Sequence, residues 1–142
     1  MRHFVPVILG VAALLTAQTA AIRDSDLVSP SELAAHLAEK PLILHVGFPV
    51  LYRAAHIPGS GFAGPGSKAE GIASLRKAVE GQPRNREIVL YCGCCPWSHC
   101  PNVKPADDTL RTLGFTNVKV LYIADNFGTN WVDKGYPVAK GE

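Results

Sequence analysis

Short apolar runs that alternate with helical segments constrain this chain more than any other feature. Leu42 to Val46 (LILHV), Glu87 to Tyr91 (EIVLY) and Asn117 to Tyr122 (NVKVLY) each have strand length. The first is apolar throughout except for His45, the pattern of a strand buried on both faces. A helix start is written at Ser29-Pro30-Ser31-Glu32: Ser29 caps, Pro30 suits the first helical position, and Glu32 is placed to reach back as in a capping box. Leu33, Ala34, Leu37 and Ala38 then make one apolar face, and Pro41 stops the helix. A second helix is predicted over residues 68–79 with Ile72, Leu75 and Val79 on one side, ended by Gly81 and Pro83. A third spans residues 105–113 and is closed by Gly114, while the Gly- and Pro-rich stretch from Gly47 to Gly66 reads as a loop. Strands separated by helices cannot pair as hairpins. They form a mainly parallel sheet covered on both faces, an α/β architecture.

A chain of 142 residues has room for one such domain, placed here at residues 25–142, with a short segment in front. That front segment reads as a signal peptide over residues 1–21. Met1-Arg2-His3 is its positive start, Phe4 to Leu15 its uncharged apolar stretch, and TAQTAA (Thr16 to Ala21) its small-residue cleavage region. The apolar stretch falls short of the roughly 20 residues a spanning helix needs. The expected destination is the periplasm or the outside of the cell, with no stable membrane insertion once the signal is removed. With 14 basic and 12 acidic residues scattered along the chain, no basic run marks a nucleic-acid footprint. Any partner has to be read from a site.

The site is announced by cysteine. All four cysteines, Cys92, Cys94, Cys95 and Cys100, fall within nine residues, in Tyr91-Cys92-Gly93-Cys94-Cys95-Pro96-Trp97-Ser98-His99-Cys100. This segment follows a predicted strand and precedes a predicted helix, where open α/β sheets place their binding sites. Loop amides and the positive end of the following helix favour an anion there, so a cysteine should ionise below the ordinary thiol pKa of about 8.5. Three readings follow. One neighbour, Cys95 or Cys100, is a resolving thiol for a reactive Cys92. Alternatively Cys92, Cys95, His99 and Cys100, with Cys94, are soft ligands for zinc or copper. In the third reading disulfides staple the loop. Cys92–Cys95 or Cys95–Cys100 is then an easier bridge than the adjacent pair Cys94–Cys95.

Four segments carry a family resemblance. Tyr52-Arg53-Ala54-Ala55-His56-Ile57-Pro58-Gly59-Ser60 resembles the rhodanese segment Tyr-x-x-Gly-His-Ile-Pro-Gly-Ala. Ile88-Val89-Leu90-Tyr91-Cys92 is similar to the strand that ends in that family's persulfide-forming cysteine. Leu113-Gly114-Phe115-Thr116-Asn117-Val118 resembles its helix-to-strand connection, and Asn130-Trp131 with Lys134-Gly135-Tyr136-Pro137-Val138 its closing signature. The resemblance implies a rhodanese-like three-layer α/β/α fold and a sulfurtransferase. Cys92 is then the catalytic nucleophile, carrying sulfane sulfur as a persulfide. The donor is a small molecule such as thiosulfate or a persulfide, the acceptor is a thiol, and no cofactor is implied. The active-site loop is Gly93, Cys94, Cys95, Pro96, Trp97, Ser98, His99 and Cys100, with the amides of Gly93 to Ser98 cradling the anionic sulfur.

The chain also departs from the family. His45-Val46-Gly47 stands where the family carries Asp-Val-Arg, and the next arginine after Cys92 is Arg111. Phosphatases on this fold carry Cys-x5-Arg, but position 98 is Ser, so the bidentate phosphate fork is missing. A catalytically silent interaction domain is the remaining alternative. Of the other residues, His45 reads as a satisfied core group and His56 as a scaffold histidine. Trp131 and Tyr136 read as core packing. His99 alone neighbours the cysteines.

Overall fold

The computed structural model describes residues 20–142; the predicted leader, residues 1–21, lies almost wholly outside them. Among the described residues, nine strands and α-helices follow in chain order: β1 (Leu27–Val28), α1 (Pro30–His36), β2 (Leu42–His45), α2 (Pro49–Ala54), β3 (Gly61–Phe62), α3 (Ala69–Ala78), β4 (Ile88–Tyr91), α4 (Val103–Thr112) and β5 (Val118–Leu121). The strands make one sheet in the order β1-β5-β4-β2-β3, and every neighbouring pair is parallel. The α/β class read from the sequence is therefore correct, with a sheet parallel throughout.

Each helix begins and ends for a local reason. Ser29 Oγ accepts from the Glu32 amide at 3.2 Å and Pro30 fills the first turn of α1; the return bond expected from Glu32 does not form. The helix α4 starts two residues before the predicted Pro105. That proline falls within its first turn, where its missing N–H would have no intrahelical partner in any case. Both α3 and α4 are ten residues long, shorter than helices that are even marginal alone in water. Packing holds them: Leu75, Val79, Val103, Ala106 and Leu110 are buried against Leu44, Val46, Ile88, Leu90, Val118 and Val120 of the sheet. Each fully buried Leu or Val contributes about 1.5–3 kcal/mol.

The opposite face is covered by Leu33 of α1 together with Ile57, Phe127 and Trp131, packed on Ile43, Val89, Tyr91 and Leu121. Two elements arise inside the predicted Gly47–Gly66 loop, namely α2 and β3. The first is a six-residue turn begun by Pro49, the second only two residues long. Neither is long enough to leave a periodic signature in the sequence.

The alternation along β4 positions the site. Ile88 and Leu90 face α3 and α4, whereas Val89 and Tyr91 face the other side. Cys92 continues the Ile88–Leu90 row, so its side chain points toward α4 and joins that cluster.

Candidate functional site

Cys92 leaves the carboxyl end of β4 beside Val46, whose amide donates to Tyr91 O at 2.8 Å. The chain then turns through Gly93 to Cys100 and enters α4 through Asn102. Two backbone bonds tie this loop to the segment after β5: Trp97 N donates to Ile123 O at 2.9 Å, and Phe127 N to Gly93 O at 3.3 Å. The Cys92 side chain is 3 % exposed, while Cys94 is exposed and Cys95 half-buried. All four cysteines are free thiols.

Donors converge on the Cys92 sulfur. Cys94 Sγ stands 3.6 Å away, and Asn102 Nδ2 points at it from 3.7 Å. Asn102 is wholly buried and uses its other amide atom to accept from Ser67 N at 3.0 Å. A Cβ on Gly66 would strike the Asn102 carbonyl, so only glycine lets the chain pass there. Hydrogen bonding from Cys100 lowers the Cys92 pKa against the opposing effect of burial, with help from the Cys94 amide and thiol and from Asn102. The result is a thiol pulled down to about 6. Burial and the neighbouring Cys95 and Cys92 sulfurs push Cys94 up to about 12. Cys100 moves upward as well, chiefly because it donates to Cys92. Of the three, Cys92 is the thiol whose ionisation the others favour.

The departures from the family take physical form here. A Cβ on Gly47 would lie 2.8 Å from Cys92 Sγ and 2.9 Å from His45 Cε1, so a side chain at this position has no room. His45 is 1 % exposed, and its Nδ1 accepts from Gly47 N at 3.2 Å, which leaves the ring proton on Nε2. Burial, then the nearby His56, lowers its pKa to about 4, so the ring is neutral. It packs edge-on against Tyr91 and Tyr52. His45 is thus a core group that also fixes the glycine bordering the thiol. His56 is a scaffold group: Nδ1 donates to Tyr52 O at 2.8 Å and the ring stacks on Tyr52.

The residues singled out in the sequence are not all brought together. Cys92, Cys94 and Cys100 form a group whose sulfurs all lie within 4.8 Å of one another, and three thiols this close are able to bind a metal ion. Cys95 and His99 stand outside that group. Cys95 Sγ instead lies 2.8 Å from Cys94 Sγ, and His99 Nδ1 pairs with Ser98 Oγ at 3.0 Å. The pair considered least suited to a bridge is therefore the one in closest contact. The expected amide cradle is also narrower than Gly93 to Ser98, because Trp97 N is bonded to Ile123 O and Pro96 has no N–H. The Cys94 amide is the one that lowers the Cys92 pKa. Arg111 is far from any such role, engaged by Asp107 at 2.9 Å and Asp26 at 3.2 Å. Sequence reasoning missed Asn102. Its signal was a polar residue just ahead of α4, a position that usually reads as a cap.

Residues 29–122 match the family described as Rhodanese-like domain. The chain belongs to that family. The match begins just after β1, at the sheet's far edge, and includes the whole thiol loop, α4 and β5. Among solved structures, the rhodanese-like chain is similar to the Alr3790 protein from Anabaena sp., with 20% identity over 80% of this chain and 92% of that one, TM-score 0.61. It is similar to the BH2092 protein from Bacillus halodurans, with 19% identity over 82% and 77%, TM-score 0.61. It also resembles one part of thiosulfate sulfurtransferase from Pseudomonas aeruginosa, with 18% identity over 82% of this chain and 20% of that one, TM-score 0.56. No curated protein matches the chain. At such identities these likenesses carry the fold. Membership itself puts the chain in a sulfurtransferase-type family.

Proposed function

We propose that this rhodanese-like chain is an exported sulfur carrier, working in the periplasm or outside the cell, that holds sulfane sulfur as a persulfide on Cys92 and discharges it with the help of Cys94. The observation that supports this most is the buried Cys92 sulfur with Cys94 Sγ 3.6 Å away and Asn102 Nδ2 at 3.7 Å. In the first step the Cys92 thiolate attacks the outer sulfur of thiosulfate. The S–S bond of the donor breaks, sulfite leaves with the electron pair, and Cys92 carries the sulfur as a persulfide anion. The Asn102 amide and the Cys94 N–H and S–H stabilise the negative sulfur before attack, where the family pattern has arginine.

Discharge follows from proximity. Cys94 stands 3.6 Å from the Cys92 sulfur and is exposed, so it is held in place to compete with any external thiol for the persulfide. The outer persulfide sulfur takes the Cys94 proton, the Cys94 thiolate so formed attacks Cys92 Sγ, and a Cys92–Cys94 disulfide forms as hydrosulfide leaves with the electron pair. An external thiol reductant then returns both cysteines to the thiol state in a two-electron exchange. Cys94 therefore takes the resolving role that the sequence suggested for Cys95 or Cys100.

The test is hydrosulfide release from thiosulfate in the presence of a thiol reductant. Cys92→Ser should abolish it. Cys94→Ser should take up sulfur but release it at least about tenfold more slowly, since a nucleophile held in place has a large advantage over one in solution. Full release by Cys92→Ser would sink the assignment and leave a silent interaction domain as the better reading.

A further inference from the structure

Cys92, Cys94 and Cys100 present three sulfurs that all lie within 4.8 Å of one another, with Cys92 and Cys94 at 3.6 Å. Three sulfurs bound in a plane to one ion at about 2.3 Å would stand about 4.0 Å apart. Small side-chain rotations bring the observed triad to that spacing. We infer that it is a three-coordinate, all-sulfur site for one monovalent copper ion.

The donor set selects the ion. Every member is a soft thiol, and neither an imidazole nor a carboxylate joins the group among the described residues. Structural zinc sites are closed by four ligands, and the two residues that the sequence offered as the rest of such a set are turned elsewhere. Cys95 lies against Cys94, and His99 Nδ1 pairs with Ser98 Oγ. Accessibility agrees with a site that loads from outside: Cys94 is exposed and gives entry, while Cys92 and Cys100 are buried. Asn102 Nδ2, 3.7 Å from Cys92 Sγ, is an outer-shell donor that orients that sulfur. The site shares Cys92 and Cys94 with the sulfur-carrying reading but does not depend on it, because copper binding requires no sulfane transfer.

The experiment is an anaerobic titration of the reduced, metal-free chain with copper(I) against a colorimetric copper(I) chelator, with zinc(II) as competitor. One copper should bind per chain, X-ray absorption should show three sulfurs and no nitrogen, and a tenfold excess of zinc should not displace it. Loss of an outer-shell partner costs about 10- to 100-fold in metal affinity, so loss of a ligand in Cys94→Ser should cost at least about 100-fold. Cys94 is exposed, so this variant is expected to fold, and circular dichroism checks that it does. Cys95→Ser and His99→Ala should bind as the parent does. The inference falls if copper does not compete with the chelator, or if zinc displaces it. It also falls if Cys95→Ser or His99→Ala weakens binding as much as Cys94→Ser.

Discussion

The sulfur of Cys92 is held by donors from three places in the chain: Cys94 two residues on, Cys100 ahead of α4, and Asn102 at its start. Their combined effect is to let a buried sulfur ionise as pH rises through about 6. Alkylation of Cys92 in the reduced, metal-free chain should therefore accelerate as pH rises through about 6 and level off above it. An ordinary thiol would still be gaining speed at pH 8. Because Cys100 is the largest cause of the depression, Cys100→Ala should move the midpoint upward; an unmoved midpoint would show that Cys100 does not donate to Cys92. Gly47 is the second decisive residue. A methyl group there meets Cys92 Sγ at 2.8 Å and His45 Cε1 at 2.9 Å. Gly47→Ala should cost about 1–3 kcal/mol in a denaturant titration and slow sulfur uptake, since the sulfur has to yield. The glycine in place of the family's arginine is thus tied to how tightly the imidazole and thiol close around it.

The elements were legible to the degree that they are long. Residues 42–46, 87–91 and 117–122 carry runs that only a buried strand explains, and they became β2, β4 and β5. The helix α1 showed its cap and apolar face, α3 its apolar face and the Gly81 that ends it, and α4 its closing Gly114. Both α2 and β3 were invisible because six and two residues are too few for a period to repeat. Within the loop, sequence fixed the position of Cys92 at the strand end but not which neighbour faces it. That choice depends on the backbone bends from Gly93 to Cys95, and it went to Cys94 and Cys100 instead of Cys95 and His99. At the far end of α4, a buried network links Asp107 and Asp26 through Arg111. Arg111→Ala leaves the Asp107 carboxylate, 0 % exposed, without that partner. It should cost about 2 kcal/mol of stability with sulfur uptake per folded chain unchanged. Asp26 is held below its ordinary 3.8 chiefly by Arg23, with burial opposing and Arg111 assisting. Its contribution to stability is complete well above that value and is lost as pH falls below it, which an acid titration of unfolding should show.

At the scale of the whole molecule, a parallel sheet brings the ends of β2, β4 and β5 to one edge, and the thiol loop spans that edge. Trp131, fully buried, stacks on Phe127 and donates to Pro137 O at 2.7 Å, while His56 pairs with Ala139 across the backbone. The C-terminal segment is thereby tied to the same face as the segment that anchors the loop. The four stretches that resemble rhodaneses thus serve the sheet, the strand-end cysteine and this closure. The chain's own character lies in the surplus thiols and in the amide and imidazole that replace charged groups. In the proposed chemistry Cys92 Sγ is the atom that receives sulfur. The direct measurement is peptide-level mass spectrometry of the reduced chain after brief exposure to thiosulfate, with persulfides capped before digestion. A gain of one sulfur, about 32 Da before capping, is expected on Cys92 and none in Cys92→Ser. Uptake of the same sulfur on Cys94, Cys95 or Cys100 in Cys92→Ser, at the rate of the parent, would contradict it.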